Sequence, residues 1–333
     1  MARNRGDYSM LRRSFCRAVV GVLVAPGFAI AQALKGVRRI GRLESGAPDT
    51  PEDIRIQADA LREFGWVEGQ NLHTERRYAN GRFEALQPLA EELVRAKVEV
   101  IVTGGTTATK AAMRATKTIP IVFRIADDPV GRGLVASLAH PGGNVTGFSA
   151  LSPELDAKYL SLLKELLPGL KRIGVVESRN PAFATEREPF TQSCRAVGIE
   201  PIFAEIAEDD VDGPIDRLAQ QRVQLLVLRS DGVMFDRRFD VVAAAMKHRL
   251  PTIAEQPDIV RQAGALMSYM LSEGEVIRRA ASYIDRVLRG ARPGDLPVEQ
   301  PSKFHLMFNL KTAKTLGLTI PKELLLRADE VIR

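Results

Sequence analysis

The sequence predicts an α/β protein built from two doubly wound, parallel-sheet lobes. Two observations lead to this prediction: apolar strands alternate with amphipathic helices along the chain, and the same order of elements occurs twice. Each half contains a strand that starts the unit, a strand ended by a glycine-containing turn, and a strand introduced by proline. These three landmarks lie 133, 125 and 131 positions apart, as the pairs Ile40 and Ile173, Val98 and Val223, and Pro120 and Pro251.

The first 31 residues have the pattern of an export signal. They hold five arginines and one aspartate, and so carry four of the six net positive charges of the chain. The apolar run 18–25 is shorter than the roughly 20 residues needed to span a bilayer, and Ala29 and Ala31 suit signal cleavage after Ala31. The pair Arg12-Arg13 fits twin-arginine export as well as an ordinary secretory signal. We therefore expect a periplasmic protein.

The remainder of the chain is close to neutral, which argues against a nucleic-acid partner. Cleavage after Ala31 leaves Cys194 as the only thiol, so neither an internal disulfide nor a cysteine metal site is expected. The four histidines are scattered, at His73, His140, His248 and His305. No metal ion or cofactor is therefore expected.

The first repeat is predicted from switches between the helical and the strand period. Ile54, Ala58, Leu61 and Phe64 recur at helical spacing, whereas 98–103 is a short apolar run typical of a buried parallel strand. A helix follows the glycine turn, capped by Thr106 or Thr107. The predicted elements are strand 38–45, helix 51–64, strand 72–78, helix 83–96, strand 98–103, a helix ending near Thr118, and strand 119–123.

The second repeat follows the same order. Residues 142–147 are predicted to make the first crossing between lobes, and helix 152–167 begins the second lobe. The following elements are strand 171–178, helix 182–197, strand 199–204, helix 214–221, strand 223–228, a helix through Phe239 and Met246, and strand 250–254.

The tail has no counterpart in the repeat, and its length predicts that it crosses between lobes more than once. It contains strand 264–269, helix 273–288, a strand through 306–310, and helical pieces at 311–316 and 321–332. We assign residues 36–150 and 264–290 to the first lobe, and residues 151–263 and 291–333 to the second.

Several segments together resemble the ABC transporter substrate-binding family that includes tryptophan-type amino-acid receptors. They are 65–71, 103–108, 127–135, 140–147, 266–269, 295–297, Phe304, 309–313 and 316–318. The resemblance covers nearly everything after the export signal. It implies a type I periplasmic-binding fold, in which a multi-strand hinge joins the lobes and a ligand occupies the cleft between them. It also implies an amino acid or a related carboxylate as ligand.

Ligands of doubly wound sheets bind at the carboxyl ends of the strands, so the candidate residues lie there. The turn after the Val98 strand offers backbone N–H groups, a helix N-terminus and hydroxyls, which suit a carboxylate. It consists of Gly105, Thr106 and Thr107. Asp127 suits an ammonium group and Asp128 is a second candidate, although each could equally be a cap or turn residue.

The second lobe contributes three polar strand ends, at Asn180, Asp231 and Glu255. Ser45 holds the position in the first lobe that matches the end of the Ile173 strand. Phe148 is a candidate for stacking on an apolar ligand group, although core packing is the commoner role of a phenylalanine.

We therefore predict an exported receptor that closes on a small solute and delivers it to an inner-membrane ABC permease with its ATPase. A monomer is expected. The alternative is an α/β enzyme acting on a small carboxylate in the same cleft, but the chain has no dinucleotide fingerprint, P-loop or nucleophile elbow. A ligand-sensing regulator would need a DNA-binding segment at the N-terminus, where the export signal stands instead.

Overall fold

The computed structural model describes residues 36–149, 153–207, 209–271, 273–300 and 304–333. The predicted export signal, residues 1–31, lies outside these ranges. Among the residues that are described, no helix is both long enough and apolar enough to cross a membrane.

The first sheet has five parallel strands. They are β1 (Arg38–Glu44), β2 (Leu72–Tyr78), β3 (Val100–Thr103), β4 (Ile121–Ala126) and β5 (Val145–Ser149). Their order across the sheet is β2-β1-β3-β4-β5. The order reverses direction between β1 and β3, which is where a doubly wound sheet leaves a crevice for a ligand.

The second sheet has seven strands and begins with the same order. They are β6 (Arg172–Ser178), β7 (Glu200–Ile206), β8 (Leu225–Leu228), β9 (Thr252–Ala254), β10 (Met267–Met270), β11 (His305–Asn309) and β12 (Glu330–Ile332). The order across the sheet is β7-β6-β8-β9-β10-β11-β12. Only the β10–β11 pair is antiparallel among the described strand pairs.

The strand register confirms that the unit is built twice. Moving each strand partner of the first sheet by the offset found in the sequence gives a partner of the second sheet. The offsets are 133 positions for β1 to β6, 125 for β3 to β8 and 131 for β4 to β9. The matching partners are Ile40–Val100 with Ile173–Leu225, and Ile101–Ile121 with Leu226–Thr252.

Helices cover both faces of the first sheet. On one face lie α1 (Pro51–Arg62) and α10 (Glu273–Leu288), and on the other lie α2 (Leu86–Arg95) and α3 (Gly105–Ala115). Helix α1 begins with a capping box, in which Thr50 and Asp53 exchange hydrogen bonds. We call the first sheet with these four helices the first lobe.

The second sheet and its helices form the second lobe. Its helices are α4 (Pro153–Leu166), α5 (Pro181–Ala184), α6 (Arg187–Ala196), α7 (Asp212–Gln220), α8 (Gly232–Asp236), α9 (Arg238–Lys247), α11 (Leu310–Leu316) and α12 (Lys322–Arg327). Apolar side chains of α4, α6, α11 and α12 pack on one face of the sheet, and those of α7 and α9 pack on the other. The thiol of Cys194 is fully buried on α6.

The structure corrects three sequence predictions about the chain path. Residues 291–299, which we assigned to the second lobe, instead pack on the first, where the Val298 N–H donates to the Leu138 carbonyl. We also assigned residues 264–290 to the first lobe. Their strand, β10, instead pairs with β9 and β11 in the second sheet, and of these residues only helix α10 packs on the first sheet. The glycine-rich segment 142–147 is not the crossing, because it leads into β5. Gly147 has φ +155°, and a Cβ there would lie 2.1 Å from the Phe123 carbonyl oxygen, so close strand packing explains this glycine.

Two further predicted helices are interrupted. Segment 182–197 is split into α5 and α6 by a turn at Thr185 and Glu186, whose N–H groups bond to the carbonyls of Ala182 and Phe183. Segment 321–332 ends as strand β12 rather than as helix, because residues 330–332 pair with β11.

Candidate ligand-binding site between the lobes

Three of the predicted site residues are joined in one hydrogen-bond chain across the cleft. Thr107, at the start of α3, donates its hydroxyl to Asn180 Oδ1 at 2.6 Å, and Asn180 Nδ2 donates to Asp231 Oδ2 at 3.2 Å. Ser178 Oγ donates to the same Asp231 oxygen. The chain therefore links the helix that follows β3 to the ends of β6 and β8.

The N-terminus of α3 faces this contact without a side-chain cap. Gly104 stands at the N-cap and has no side chain that could accept a hydrogen bond from the first turn. By contrast, the side chains of Thr50, Asn180 and Asp231 cap the helices that follow them. The backbone N–H groups of the first turn, at Gly105, Thr106 and Thr107, can therefore bind an anion. This arrangement suits the carboxylate that the sequence predicted there.

A second contact between the lobes is made by two glycines. A Cβ on Gly232 would lie 2.5 Å from Gly46 N and 2.6 Å from Gly46 Cα, so neither backbone leaves room for a side chain. Beside them, the Ala47 N–H donates to Asp236 Oδ2 at 2.8 Å. Ser45, a predicted site residue, is 6% exposed and lies at this contact. The structure is thus closed at the crevice between β1 and β3.

A groove of about 740 Å³ opens beside the Thr107–Asn180 bond. Both lobes line it: Thr106, Thr107 and Lys110 on one side, and Arg179, Thr185 and Val233 on the other. Its volume lies within the range of small-molecule sites. The groove gives a solute access to the uncapped end of α3.

In the turn between α5 and α6, Glu186 lies between two arginines. Its carboxylate pairs at 2.8 Å with Arg132, which follows β4 of the first lobe, and also with Arg229, which follows β8 of the second. Arg229 Nε lies 3.0 Å from Glu255 Oε1, and its guanidinium stacks near the rings of Phe183 and Phe190. This cluster connects the lobes through ion pairs.

Burial changes the acidity of the carboxyl groups in the cleft. It raises the pKa of Asp127, an effect that the neighbouring Arg229 and Arg132 oppose. Burial, together with the nearby Asp127 charge, raises the pKa of Glu186 to about 8. Burial also raises the pKa of Asp231, against hydrogen bonds from Ser178, the Met234 N–H and Asn180. Carboxyl groups of this kind are typical of functional sites.

The other predicted residues have partners within the protein. Asp128 has φ +39° and accepts the Gly131 N–H at 2.9 Å, so it forms the turn after β4. Glu255 also accepts the Ser230 N–H at 2.7 Å. Phe148 is 2% exposed and packs with Leu271 and Val276, which is the core role rather than an open stacking surface.

Sequence reasoning missed four charged residues of the cleft. Arg132, Glu186 and Arg229 form the cluster described above, and Glu44 lies against the Gly104 turn and pairs with Arg124 at 3.0 Å. A Cβ on Gly104 would lie 1.9 Å from Glu44 Oε2, so the glycine makes room for this carboxylate. The available signal was a charged residue directly after a buried strand, as at Arg229, which takes the place that Gly104 holds in the first repeat.

The described side chains include no group of three or more His, Cys, Asp or Glu residues that could hold a metal ion. The polar groups of the cleft are hydroxyls, amides, carboxylates and guanidinium groups. They can bind and orient a charged organic solute through hydrogen bonds and ion pairs.

Known proteins resemble this chain over most of its length. A tyrosine-binding protein of Clostridioides difficile is 28% identical over 261 residues, which are 78% of this chain and 74% of that protein. A conserved domain protein of Vibrio cholerae is 29% identical, with a TM-score of 0.79 over 89% of this chain and 99% of that structure. An ABC domain from Streptococcus pneumonia, solved with L-Trp, is 24% identical with the same TM-score, over 89% and 100%.

The family profile described as ABC transporter substrate binding protein matches residues 55–332. It describes a binding protein, so the enzyme alternative is set aside. Because the match covers most of both lobes, the chain belongs to the family of ABC transporter substrate-binding proteins.

Proposed function

We propose that this protein is the periplasmic receptor of an ABC importer and closes on an amino acid between its two lobes. The observation that carries the proposal is the hydrogen bond from Thr107 to Asn180, which joins two predicted ligand residues of opposite lobes beside a groove of suitable size. The tyrosine-binding relative supports an amino acid as the solute class.

In this proposal the two ends of the amino acid bind to different strand ends. The carboxylate accepts hydrogen bonds from the uncapped first turn of α3, at Gly105, Thr106 and Thr107. The ammonium group binds near Asp127, and Asn180 and Asp231 contact the solute from the second lobe. Ser45 and Glu255 hold the surrounding strand ends, while Asp128 and Phe148 act indirectly, through the turn and the core.

The partners follow from the same proposal. The closed receptor would deliver its solute to an inner-membrane permease, as a monomer, after export and signal cleavage at Ala31. Opening would use the segments that connect the two sheets, with 36–149 and 273–299 moving as one lobe and the rest of the described chain as the other.

A thermal-shift screen of the purified protein tests the proposal, because a ligand that binds only the native state raises the melting temperature. The panel contains amino acids, their deaminated analogues, sugars and nucleosides. We expect a saturable shift with at least one amino acid. A saturable shift with sugars or nucleosides alone would contradict the proposed solute class, and the absence of any shift across the panel would contradict the proposed function.

A further inference from the structure

The groove beside the Thr107–Asn180 bond is lined by more basic than acidic side chains. The basic residues come from both lobes, and they are Arg82, Lys110, Arg114 and Arg179. The acidic residues, Glu84 and Asp209, are exposed to solvent. Four positive charges against two negative ones leave the described lining of the groove with two positive charges. Such a surface favours an anionic solute group over a neutral one.

Two of these cations, Lys110 and Arg179, lie on opposite walls of the groove and have no acidic partner. Neither forms an ion pair or a side-chain hydrogen bond within the described part of the chain. By contrast, Arg132 and Arg229, which are buried where the lobes meet, both pair with Glu186. An unpaired cation is ordinary on an open surface. On both walls of a ligand groove, unpaired cations are binding groups that the protein itself does not use.

The sequence positions of both cations place them next to the proposed carboxylate site at the start of α3. Lys110 follows Thr106 by four residues, so it lies on the same face of α3, roughly 6 Å further along the helix axis. Long helical side chains lean toward the helix N-terminus, and for Lys110 this is the direction of the first turn. Arg179 directly precedes Asn180, whose amide oxygen accepts the Thr107 hydroxyl. A solute bound by the first turn therefore has one cation from each lobe within reach of its side chain.

The lining of the groove suits an aromatic solute side chain less well than an acidic one. Phe83 is the one aromatic residue among the groove residues, all of which belong to the described part of the chain. Sites for apolar groups are lined mainly by apolar and aromatic side chains. An aromatic solute group would find one ring to stack on and would leave the positive charge of the groove uncompensated. A carboxylate offers both cations a charged acceptor.

We propose that the groove selects amino acids with an acidic side chain, and that Lys110 and Arg179 bind the second carboxylate, one from each lobe. The inference rests on the proposed closure around an amino acid and names the class of its side chain. The α-carboxylate keeps its place at the uncapped turn of α3. The second carboxylate accepts charge-assisted hydrogen bonds from the ammonium and guanidinium groups. Because these groups belong to different lobes, the second carboxylate also stabilises the closed form.

Titration calorimetry with two matched ligand pairs tests this selectivity. The pairs are L-glutamate with L-glutamine and L-aspartate with L-asparagine, and the two members of each pair differ in one charge at nearly equal size. We expect the native protein at low ionic strength to bind at least one acid about tenfold or more tightly than its amide, because two partly exposed ion pairs form. Added salt is expected to reduce this preference.

Two variants and two controls make the test specific. Lys110→Met and Arg179→Met each remove one cation of the groove. We expect each to lower the preference for the acid about three- to fivefold and to leave the affinity for the amide nearly unchanged, which also shows that the variant is folded. Lys117→Met and Arg195→Met remove exposed positive charges outside the groove and are expected to keep the native preference.

The proposal is overturned if the native protein binds both amides as tightly as the acids, if both groove variants keep the full preference, or if the controls lose it. Tight binding of a neutral amino acid without preference for an acid would overturn the selectivity and leave the proposed function standing. If no amino acid binds at all, the proposed function fails together with the selectivity.

Discussion

Thr107 of the first lobe and Asn180 of the second are 2.6 Å apart, hydroxyl oxygen to amide oxygen, and this bond spans the cleft. Asn180 cannot turn away easily, because its amide oxygen also accepts the Ala182 N–H at 3.1 Å and its amide nitrogen donates to Asp231. The Asn180 amide oxygen is therefore a fixed acceptor, and Thr107 can donate to it only when α3 is in the closed position. A solute that binds at the start of α3 is held beside this contact.

Replacing Thr107 by valine removes this cross-lobe bond while keeping the side-chain shape. We expect affinity for the amino acid found in the screen to fall five- to tenfold, because a hydrogen bond contributes about 1 kcal/mol. Titration calorimetry measures the change. Thr315→Val is the matched control, since the Thr315 hydroxyl donates to the Lys311 carbonyl within α11, and we expect this variant to keep the native affinity. Equal affinity of Thr107→Val and the native protein would contradict the role of the bond.

Gly232→Ala tests closure at the glycine contact. The added methyl group would lie 2.5 Å from Gly46 N, so the lobes could no longer meet there. We expect at least tenfold weaker solute binding but a nearly unchanged melting temperature of the free protein, since the clash disappears on opening. Gly143→Ala is the control, because its Cβ would meet no atom within 4 Å. Native affinity in Gly232→Ala would show that binding does not require this contact.

Trp66→Phe tests the attachment of α10 to the first lobe. Trp66 is 2% exposed, and its Nε1 donates to Asp285 Oδ1 on α10 at 2.9 Å. Loss of a hydrogen bond to a charged group is expected to lower the free energy of unfolding by about 1.5–3 kcal/mol. Urea denaturation measures the difference. An unchanged midpoint and slope would mean that apolar packing alone holds α10 in place.

Glu186 is expected to give unfolding a pH dependence. Its pKa is raised from the ordinary 4.5 to about 8 in the folded protein. The resulting stabilisation is therefore fully present below pH 4.5 and is lost as the pH rises through 8. Urea denaturation from pH 5 to 9 is expected to show a fall in the free energy of unfolding, and Glu186→Gln is expected to reduce that fall. An identical pH profile in this variant would contradict the assignment. Glu165→Gln, which removes an exposed carboxylate paired with Arg327, should match the native protein.

The repeated architecture could be predicted because it depends on local patterns. Buried strands such as Val100–Thr103 and Leu225–Leu228 are short apolar runs, and their spacing in the sequence reappears in the strand register. The path of the tail was harder to predict, because β10 and α10 are adjacent in sequence, yet β10 joins the second sheet and α10 packs on the first. Which sheet a strand joins depends on its backbone partners, and hydrophobic period carries no information about them.

The candidate site was predictable where its residues follow a strand. Thr107, Asn180 and Asp231 were expected at such positions, and the structure brings them together. Glu186 could not be found in this way, because it lies in a segment with helical period and becomes a cleft residue only through the turn between α5 and α6. Its partner Arg132 is 54 positions away, and no sequence pattern links the two.

Titration calorimetry with a matched pair of ligands tests the central claim most directly. The pair is the amino acid with the largest thermal shift and its deaminated analogue, each titrated into the native protein and into Asp127→Asn. We expect the native protein to prefer the amino acid at least tenfold, and the variant to lose most of that preference while still binding the analogue through α3. Equal affinity of the native protein for both ligands, or a preference that Asp127→Asn leaves intact, would contradict the proposed site.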